Sequence, residues 1–270
     1  MTESLNQSLL ALALDIAKST SEILVNQRPE NMAYESKSTP VDLVTEMDKA
    51  AERHIVQRVK DVRPNDSFLG EEGTALPPEN PSSVKWIIDP IDGTINFANG
   101  IPICCVSIGL EHQGQMILGA VYNPFMNEMF IAERGQGATL NDKKIHVSDK
   151  SDLLTSCLVT GFPYQYLDTA NGPLQIFEKL IRKAIPVRRL GSAALDLCWT
   201  AAGRFDGFYE HKLQAWDSAA GFLLVEEAGG KVTDFKGEHY SPYQPHIIAT
   251  NGKIHDELVA IVNGAPVGEK

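Results

Sequence analysis

The stretch from Val84 to Gly100 constrains the fold of this chain more than any other part of the sequence. An apolar run suited to a buried β-strand leads there into Asp89-Pro90-Ile91-Asp92-Gly93-Thr94. Proline cannot donate a backbone hydrogen bond to a sheet, so we expect the strand to end at Asp89 and the chain to turn at Pro90. The sequence therefore predicts a buried strand that delivers two carboxylates to one turn.

This turn concentrates oxygen atoms and backbone amides within six residues. The carboxylates of Asp89 and Asp92, the carbonyl of Ile91 and the hydroxyl of Thr94 are ligands that suit Mg²⁺. The amides of Gly93 and Thr94, at the start of a helical segment, suit a phosphate group. A metal ion and a phosphate in one loop indicate phosphoryl transfer or phosphate hydrolysis. The alternative is a solvated turn, because Asp-Pro, Asp-Gly and Gly-Thr are common turn sequences.

Two other segments place acidic residues where they could join this turn. Gly70-Glu71-Glu72-Gly73 follows a short apolar segment, and its acids are either ligands or solvated loop residues. Asp217 lies in the first turn of a helix predicted over Ala215–Ala228. It either stabilises the helix N-terminus, an effect of about 0.3–1 kcal/mol, or supplies another ligand.

Hydrophobic periodicity divides the chain into two halves, and the fold class that it indicates is α/β. In residues 1–150 we expect an α+β half, with helices over Leu5–Asn26 and Val44–Val62 on an antiparallel sheet that carries most of the metal ligands. Residues 75–83 should form a surface loop. In residues 151–270 we expect an alternating α/β half that closes the substrate site, with a strand over Phe205–Glu210. The two halves are expected to act as one functional unit.

Composition excludes several classes of protein. The formal charge of −11 argues against a nucleic-acid partner and leaves a phosphate-binding protein in need of cations. The four cysteines include no Cys-x-x-Cys and are expected to be reduced, and the scattered histidines make zinc improbable. The N-terminus is unlike a signal peptide and no apolar run reaches the ~20 residues that span a membrane. We expect a cytoplasmic protein without a membrane partner.

Several separated motifs resemble the inositol monophosphatase family, in the same order and spacing, from about Leu9 to Val262. The motifs are Gly70-Glu71-Glu72, Trp86 to Asn96, Gly191-Ser192-Ala193-Ala194, Trp216-Asp217-Ser218-Ala219-Ala220-Gly221 and Val225-Glu226-Glu227-Ala228-Gly229-Gly230. The resemblance implies a layered αβαβα sandwich of the sugar-phosphatase type.

The resemblance also implies a role for each matching position. The metal ligands would be Glu71, Asp89, Asp92, Asp217 and the carbonyl of Ile91, with two or three Mg²⁺ per site. Asp48 and Thr94 would activate water, with Glu71 also counted as catalytic. The amides of Gly93 and Thr94 would hold the phosphate, and the substrate hydroxyls would meet Gly191, Ser192, Ala193 and Glu210.

The activity implied in this way is hydrolysis of a phosphate monoester by metal-activated water, with myo-inositol 1-phosphate as the leading substrate. Histidinol phosphate, fructose 1,6-bisphosphate and nucleotide 3′-phosphates are alternatives within the family. A further alternative is a non-catalytic protein that binds sugar phosphates or a macromolecular partner. The resemblance finally implies a homodimer and inhibition by lithium.

Overall fold

The computed structural model describes residues 3–26, 34–36, 43–77, 84–163 and 172–264, in which helices alternate with strands. The helices are α1 (Glu3–Asn26), α2 (Glu46–Val62), α3 (Thr94–Asn99), α4 (Pro173–Arg182), α5 (Ala193–Ala201), α6 (Ala215–Glu227) and α7 (His255–Val262). Among these residues, no helix has the length and apolar character needed to cross a membrane.

The strands form a short hairpin and two larger sheets. The hairpin pairs β1 (Tyr34–Ser36) with β2 (Leu43–Thr45). The eight-stranded sheet contains β3 (Ser67–Gly70), β4 (Ala75–Leu76), β5 (Lys85–Asp92), β6 (Cys105–His112), β7 (Gln115–Asn123), β8 (Glu128–Glu133), β9 (Gly137–Leu140) and β10 (Lys143–Lys144). The five-stranded sheet contains β11 (Leu158–Thr160), β12 (Val187–Arg188), β13 (Gly207–His211), β14 (Lys231–Thr233) and β15 (His246–Thr250).

Strand order explains why residues 1–150 contain consecutive strands whereas residues 151–270 alternate strands and helices. The larger sheet runs β10-β9-β8-β7-β6-β5-β3-β4 and is antiparallel except where β3 lies parallel to β5. The smaller sheet runs β12-β11-β13-β15-β14; β11 is parallel to both of its neighbours, and β15 is antiparallel to both of its own. The crossovers between parallel strands are where the sequence alternates strand and helix.

Three buried clusters show that the sheets and helices stack in five layers. One cluster packs α1 and α2 on the outer face of the larger sheet, with Trp86 and Ile88 pointing into it. A second packs α5 and α6 between the two sheets and takes Ile87 from β5 and Phe208 from β13. A third packs α4 and α7 outside the smaller sheet. Alternate residues of each strand face opposite layers, which confirms the predicted αβαβα sandwich.

The turn predicted at Pro90 is wrong, because β5 continues to Asp92. Asp89 pairs with Ser107 and Asp92 pairs with Cys105, so three steps along β5 face two along β6 and the strand bulges there. The parallel pairing with β3 ends at Ile88, which leaves β5 without a neighbour on that side. The missing amide hydrogen of Pro90 therefore removes no ladder hydrogen bond, and the bulge turns the two carboxylates toward the end of the strand.

Other predicted boundaries shift by a few residues. The second helix begins at Glu46 rather than Val44, which lies in β2. The predicted loop 75–83 contains β4, which pairs with β3, while residues 78–83 lie outside the described residues. The strand that carries Glu210 extends to His211, so Glu210 is inside the strand and not at its end.

Helix α6 lies close against the larger sheet, and this approach determines where Asp217 is placed. A Cβ atom on Gly119 of β7 would lie 2.6 Å from the carbonyl oxygen of Ala220. Small residues on both elements, Gly119 on β7 and Ala219-Ala220-Gly221 on α6, therefore permit the contact. The first turn of α6 is brought beside the end of β5 by this contact.

Candidate active site

One cavity of about 510 Å³ collects the predicted site residues from five separate segments. It is lined by Glu71, Asp89, Ile91, Asp92, Gly93, Thr94, Gly191, Ser192, Ala193, Glu210 and Asp217. Asp48, the remaining predicted residue, does not line the cavity and reaches it through Thr94. The cavity lies beyond the bulged end of β5 and is bounded by the first turns of α3, α5 and α6.

The turn after β5 is fixed by short-range contacts of its own residues. The amide of Ile91 donates to Asp89 Oδ1 at 3.0 Å, and the Thr94 hydroxyl lies 3.1 Å from the Ile91 carbonyl oxygen. Gly93 has a φ of 92°, and a Cβ atom there would lie 2.8 Å from the carbonyl oxygen of Ile103. Only glycine fits both the left-handed conformation and this close approach.

The Thr94 hydroxyl also lies 3.1 Å from Asp48 Oδ1, and both residues are buried. Asp48 is in the first turn of α2, so this contact joins α2 to α3 at the edge of the cavity. A hydroxyl that donates its proton to a carboxylate keeps lone pairs that can accept a hydrogen bond. The Thr94 oxygen therefore keeps acceptor capacity at the edge of the cavity.

Asp92 ties the end of β5 to the start of α5. Its Oδ2 accepts hydrogen bonds from the Ser192 hydroxyl at 2.6 Å and from the Ala194 amide at 2.7 Å. Burial raises the pKa of Asp92 to about 6, although these two hydrogen bonds favour its charged form. Ser192 also caps α5 through the Leu195 amide. The Ser192 hydroxyl proton is thus donated to Asp92 and is not available to a substrate. A substrate at this position could bond only to the lone pairs of the hydroxyl oxygen or to the backbone.

Asp217 caps a helix and also lines the cavity, while its role as a cation ligand stays a prediction. It accepts a hydrogen bond from the Gln214 amide at 2.6 Å and completes a capping box at the start of α6. It also lines the cavity, where burial and the nearby charges of Glu71, Asp92 and Glu210 raise its pKa well above the usual range.

Asp89 lies at the centre of this group of acids. Burial raises its pKa strongly, and the charges of Glu71, Asp92 and Asp217, together with a hydrogen bond to Glu71, raise it further. Ionised carboxylates confined in this way repel one another unless protons or cations neutralise them.

The donor set fits a hard divalent cation. Carboxylate oxygens from three segments and the Ile91 carbonyl are the ligand types that Mg²⁺ accepts, and their mutual repulsion favours a positive ion between them. Within the described part of the chain, no three Asp, Glu, His or Cys side chains converge closely enough to enclose an ion.

The cavity is also lined by Glu210 and by Arg189 and Asp196, two residues that the sequence alone did not identify as part of the site. Burial raises the pKa of Glu210 to about 8, the charge of Asp92 raises it as well, and Arg189 opposes the shift. Asp196 is 1% exposed and lines the cavity, and neither of its carboxylate oxygens has a hydrogen-bond partner among the described residues. A lone charge in the apolar helix Ala193–Ala201 is the signal that could have identified it.

Asn96 is a further residue whose role is not evident from the sequence motif that contains it. Its side-chain amide donates to the carbonyl oxygens of Ile103 at 2.7 Å and Leu190 at 2.8 Å. Asn96 thereby fixes α3 to the segment that leads into Gly191 on the other side of the cavity.

The fold and the site together define a layered α/β protein of a phosphatase superfamily. The chain belongs to the inositol monophosphatase family, whose sequence profile matches residues 5–265. Members of this family are metal-dependent, in agreement with the carboxylate-lined cavity.

Individual relatives extend over nearly the whole chain and carry different names. Nus factor SuhB of Pasteurella multocida is 39% identical over 253 residues, which are 93% of this chain and 94% of the relative. Inositol-1-monophosphatase of Mesorhizobium japonicum is 42% identical over 223 residues, 83% of this chain and 84% of the relative. The crystal structure of extragenic suppressor protein suhB from Bartonella henselae superposes with a TM-score of 0.88 at 37% identity, covering 96% of this chain and 100% of that chain.

Proposed function

We propose that this protein is a Mg²⁺-dependent phosphatase that hydrolyses the phosphate monoester of a small polyol, with myo-inositol 1-phosphate as the leading substrate. Glu71, Asp89, Asp92, Asp217 and the Ile91 carbonyl would hold the cations, two or three per site. The amides of Gly93 and Thr94 would hold the phosphate group.

One observation carries this proposal. Four carboxylates, those of Glu71, Asp89, Asp92 and Asp217, line the cavity beside the Thr94–Asp48 pair, and the pKa values of three of them, Asp89, Asp92 and Asp217, are raised by burial and by neighbouring acids. Burial of several like charges is costly unless a cation neutralises them. A site that needs cations and that also presents a residue pair able to orient water supports hydrolysis over simple binding.

The residues beside the cation site would act on water and on the phosphate. Thr94 donates its proton to Asp48 Oδ1, accepts a hydrogen bond from the attacking water and so holds a water lone pair toward phosphorus. The bond from water oxygen to phosphorus forms as the ester bond to the alcohol oxygen breaks, the water gives up one proton, and the departing alcohol oxygen takes up one proton, so the products are inorganic phosphate and the alcohol. Bound Mg²⁺ would supply the positive charge that activates the water and stabilises the departing oxygen.

The alcohol part of the substrate would lie toward Glu210. A carboxylate at this position accepts hydrogen bonds from hydroxyl groups, and Gly191, Ser192 and Ala193 line the same side of the cavity. A ring with several hydroxyls suits this lining. Histidinol phosphate, fructose 1,6-bisphosphate and nucleotide 3′-phosphates are the alternative substrates.

The test is a panel of these phosphate esters, with p-nitrophenyl phosphate included, assayed with Mg²⁺, with a chelator and after Mg²⁺ is restored. We expect phosphate release that the chelator abolishes and Mg²⁺ restores, with the highest kcat/KM on inositol 1-phosphate. Undiminished turnover in metal-free buffer would overturn the metal-dependent mechanism. A higher kcat/KM on another ester would replace the leading substrate.

A second function, binding of a macromolecular partner, is favoured by the names of relatives. At similar identity, one relative is a Nus factor and another is an inositol-1-monophosphatase, so similarity alone does not choose between the two roles. Asp89→Asn, a variant expected to lack phosphatase activity, distinguishes the two functions. A function that depends on partner binding should persist in this variant, and a function that depends on catalysis should be lost.

Lithium inhibition and a homodimer are proposed on the resemblance to the family alone. Li⁺ at millimolar concentration should lower the turnover rate by occupying a Mg²⁺ position. Light scattering on the purified protein should give twice the mass of one chain. An unchanged rate or a monomer mass would remove the respective proposal.

A further inference from the structure

Glu52 is a buried acid on α2 that neither the sequence motifs nor the cavity lining identifies. Its side chain is 2% exposed and lies beneath the loop that follows β3. Glu52 Oε2 accepts a hydrogen bond from the Glu72 amide at 2.8 Å, and Oε1 accepts one from the Thr74 amide at 3.0 Å. Both oxygens of one carboxylate are therefore bonded to the backbone of the loop that carries Glu71.

The loop is wrapped tightly around this carboxylate. The Gly70 amide donates to the Thr74 carbonyl oxygen at 2.7 Å, which closes residues 70–74 into a compact turn. A Cβ atom on Gly70 would lie 2.4 Å from Glu52 Oε2, so the carboxylate occupies the space that a side chain at position 70 would need. The position of the loop thus depends on the position of the Glu52 side chain.

Glu71 sits inside this turn and faces the cavity. Its amide donates to the Ile88 carbonyl oxygen at 3.2 Å, and its carboxylate raises the pKa of Asp89 on the neighbouring strand. A movement of the turn would therefore displace one of the carboxylates that surround the proposed cation site.

Helix α2 carries a second buried acid one turn before Glu52. Asp48 and Glu52 are four residues apart, so they lie on the same face of the helix. Asp48 contacts Thr94, and Glu52 holds the turn that contains Glu71. One rigid helix therefore contacts both the residue proposed to orient water and a residue proposed to bind the cation.

We propose that Glu52 is a positioning residue that fixes the carboxylate of Glu71 in the cation site by binding the backbone amides of Glu72 and Thr74. The inference rests on the proposed function, because it assigns Glu52 to the cation affinity of that site. Residues that orient metal ligands change metal affinity by about 10- to 100-fold when they are replaced.

Glu52→Gln tests this assignment, because the amide keeps the shape but presents an N–H₂ group to one of the two backbone donors. Asp66→Asn is the matched control. Asp66 is 6% exposed, accepts hydrogen bonds from the Val84 amide at 3.1 Å and the Trp86 indole at 2.9 Å, and lies at the opposite end of the same pair of strands. Both variants exchange a buried carboxylate for an amide, but only one lies beside Glu71.

The readout is the Kd for Mn²⁺ and Mg²⁺, measured by calorimetry on the protein without substrate, with the Tm in chelator measured in parallel. We expect both variants to have a lower Tm and only Glu52→Gln to raise the cation Kd, by about 10- to 100-fold. The Mg²⁺ concentration for half-maximal activity should rise by the same factor, while kcat at saturating Mg²⁺ changes little.

Gly70→Ala tests the same contact from the other side, since the new methyl group would push the Glu52 carboxylate away from the turn. It should raise the cation Kd like Glu52→Gln, and the double variant should show less than the product of the two effects. If Glu52→Gln does not fold, the cation Kd of Gly70→Ala tests the proposal on its own.

The role of Glu52 would be overturned if a folded Glu52→Gln or Gly70→Ala variant had an unchanged cation Kd. It would also be overturned if Asp66→Asn raised the cation Kd equally. Either result would leave the proposed function standing. A wild-type protein that binds no divalent cation would overturn this role and the proposed function together.

Discussion

The hydroxyl of Thr94 lies 3.1 Å from Asp48 Oδ1 and joins the first turn of α3 to the first turn of α2. The same hydroxyl lies 3.1 Å from the carbonyl oxygen of Ile91, so one proton has two acceptors within reach. Asp48 is fully buried, and a carboxylate oxygen is a stronger acceptor than a peptide carbonyl oxygen when the carboxylate is ionised. The proton is therefore directed to Asp48, and the oxygen of Thr94 remains available as an acceptor at the edge of the cavity.

Thr94→Val should reduce kcat by about 10²- to 10⁴-fold, the usual contribution of a group that moves or orients the reacting proton. Valine has the shape of threonine, so the fold should persist. Thr94→Ser retains the hydroxyl and should retain most of the activity. The measurement is kcat at saturating Mg²⁺ for both variants, with the Mg²⁺ Kd as a control that should not change. Full activity in Thr94→Val would assign the hydroxyl a structural role only.

The sequence predicts those parts of the site that are contiguous in the chain. Asp89, Asp92 and Thr94 lie close together in the chain where a buried strand ends, as predicted, although the strand continues through Pro90 to Asp92. A proline interrupts a sheet only where a neighbouring strand would accept a hydrogen bond from its amide. Pro90 has no such neighbour because β3 ends at Gly70, and the local sequence around Pro90 does not show where β3 ends.

Residues that act through distant backbone atoms were not predictable in the same way. Glu52 binds amides about 20 residues away, and Asn96 binds a carbonyl oxygen 94 residues away. No local pattern marks such a residue, because its partner is chosen by the packing of separate elements. Asp217 shows the converse, since a local pattern predicted a helix cap and the tertiary fold placed the same carboxylate in the cavity.

Asp217→Asn should separate these two roles. The asparagine oxygen can still accept the hydrogen bond from the Gln214 amide, so the helix cap persists while the charge is lost. We expect kcat to fall by at least ~10²-fold because the cation site loses a charge. The Tm in chelator should hold or rise, because one of several repelling buried carboxylates has been removed.

The measurements for Asp217→Asn are kcat with Mg²⁺ and thermal unfolding in chelator, with Asp89→Asn treated in the same way. Full activity in Asp217→Asn would show that Asp217 is only a helix cap. A large loss of Tm would show that the charged form stabilises the metal-free fold, contrary to the repulsion described here.

The stability of the metal-free protein should fall as pH rises from 6.5 to about 8. The pKa of Glu210 is raised in the folded protein to about 8 from an ordinary value of 4.5, so over this range the folded state holds a proton that the unfolded state has released. Stability then decreases with pH until the folded state also ionises, and levels off above the folded pKa. Asp89 and Asp217, whose pKa values are also raised, act in the same direction.

The range starts at 6.5 because His255, whose pKa is lowered to about 4 by burial, acts in the opposite direction below that value. The measurement is Tm against pH in chelator, and a decrease of about 4 °C would correspond to roughly 1–2 kcal/mol in a protein of this size. Glu210→Gln should flatten part of the slope, and saturating Mg²⁺ should flatten more of it. A Tm that rises with pH over this range would contradict the raised pKa values.

Glu210→Gln should also reveal which part of the substrate this residue contacts. Glu210 lines the cavity beside Gly191, Ser192 and Ala193, and bound cations would favour its ionised form, which accepts hydrogen bonds from ring hydroxyls. Glutamine keeps the shape but removes the charged acceptor, which costs roughly 1.5–3 kcal/mol, or about 10- to 150-fold in kcat/KM. The loss should be large for inositol 1-phosphate and small for p-nitrophenyl phosphate, which has no hydroxyl groups, and the Mg²⁺ Kd should barely change.

Measuring kcat/KM on both esters and the Mg²⁺ Kd on the same preparation of Glu210→Gln distinguishes a role in alcohol binding from a role as a cation ligand. Equal losses on both esters, together with weaker Mg²⁺ binding, would place Glu210 among the cation ligands instead of on the alcohol side of the cavity.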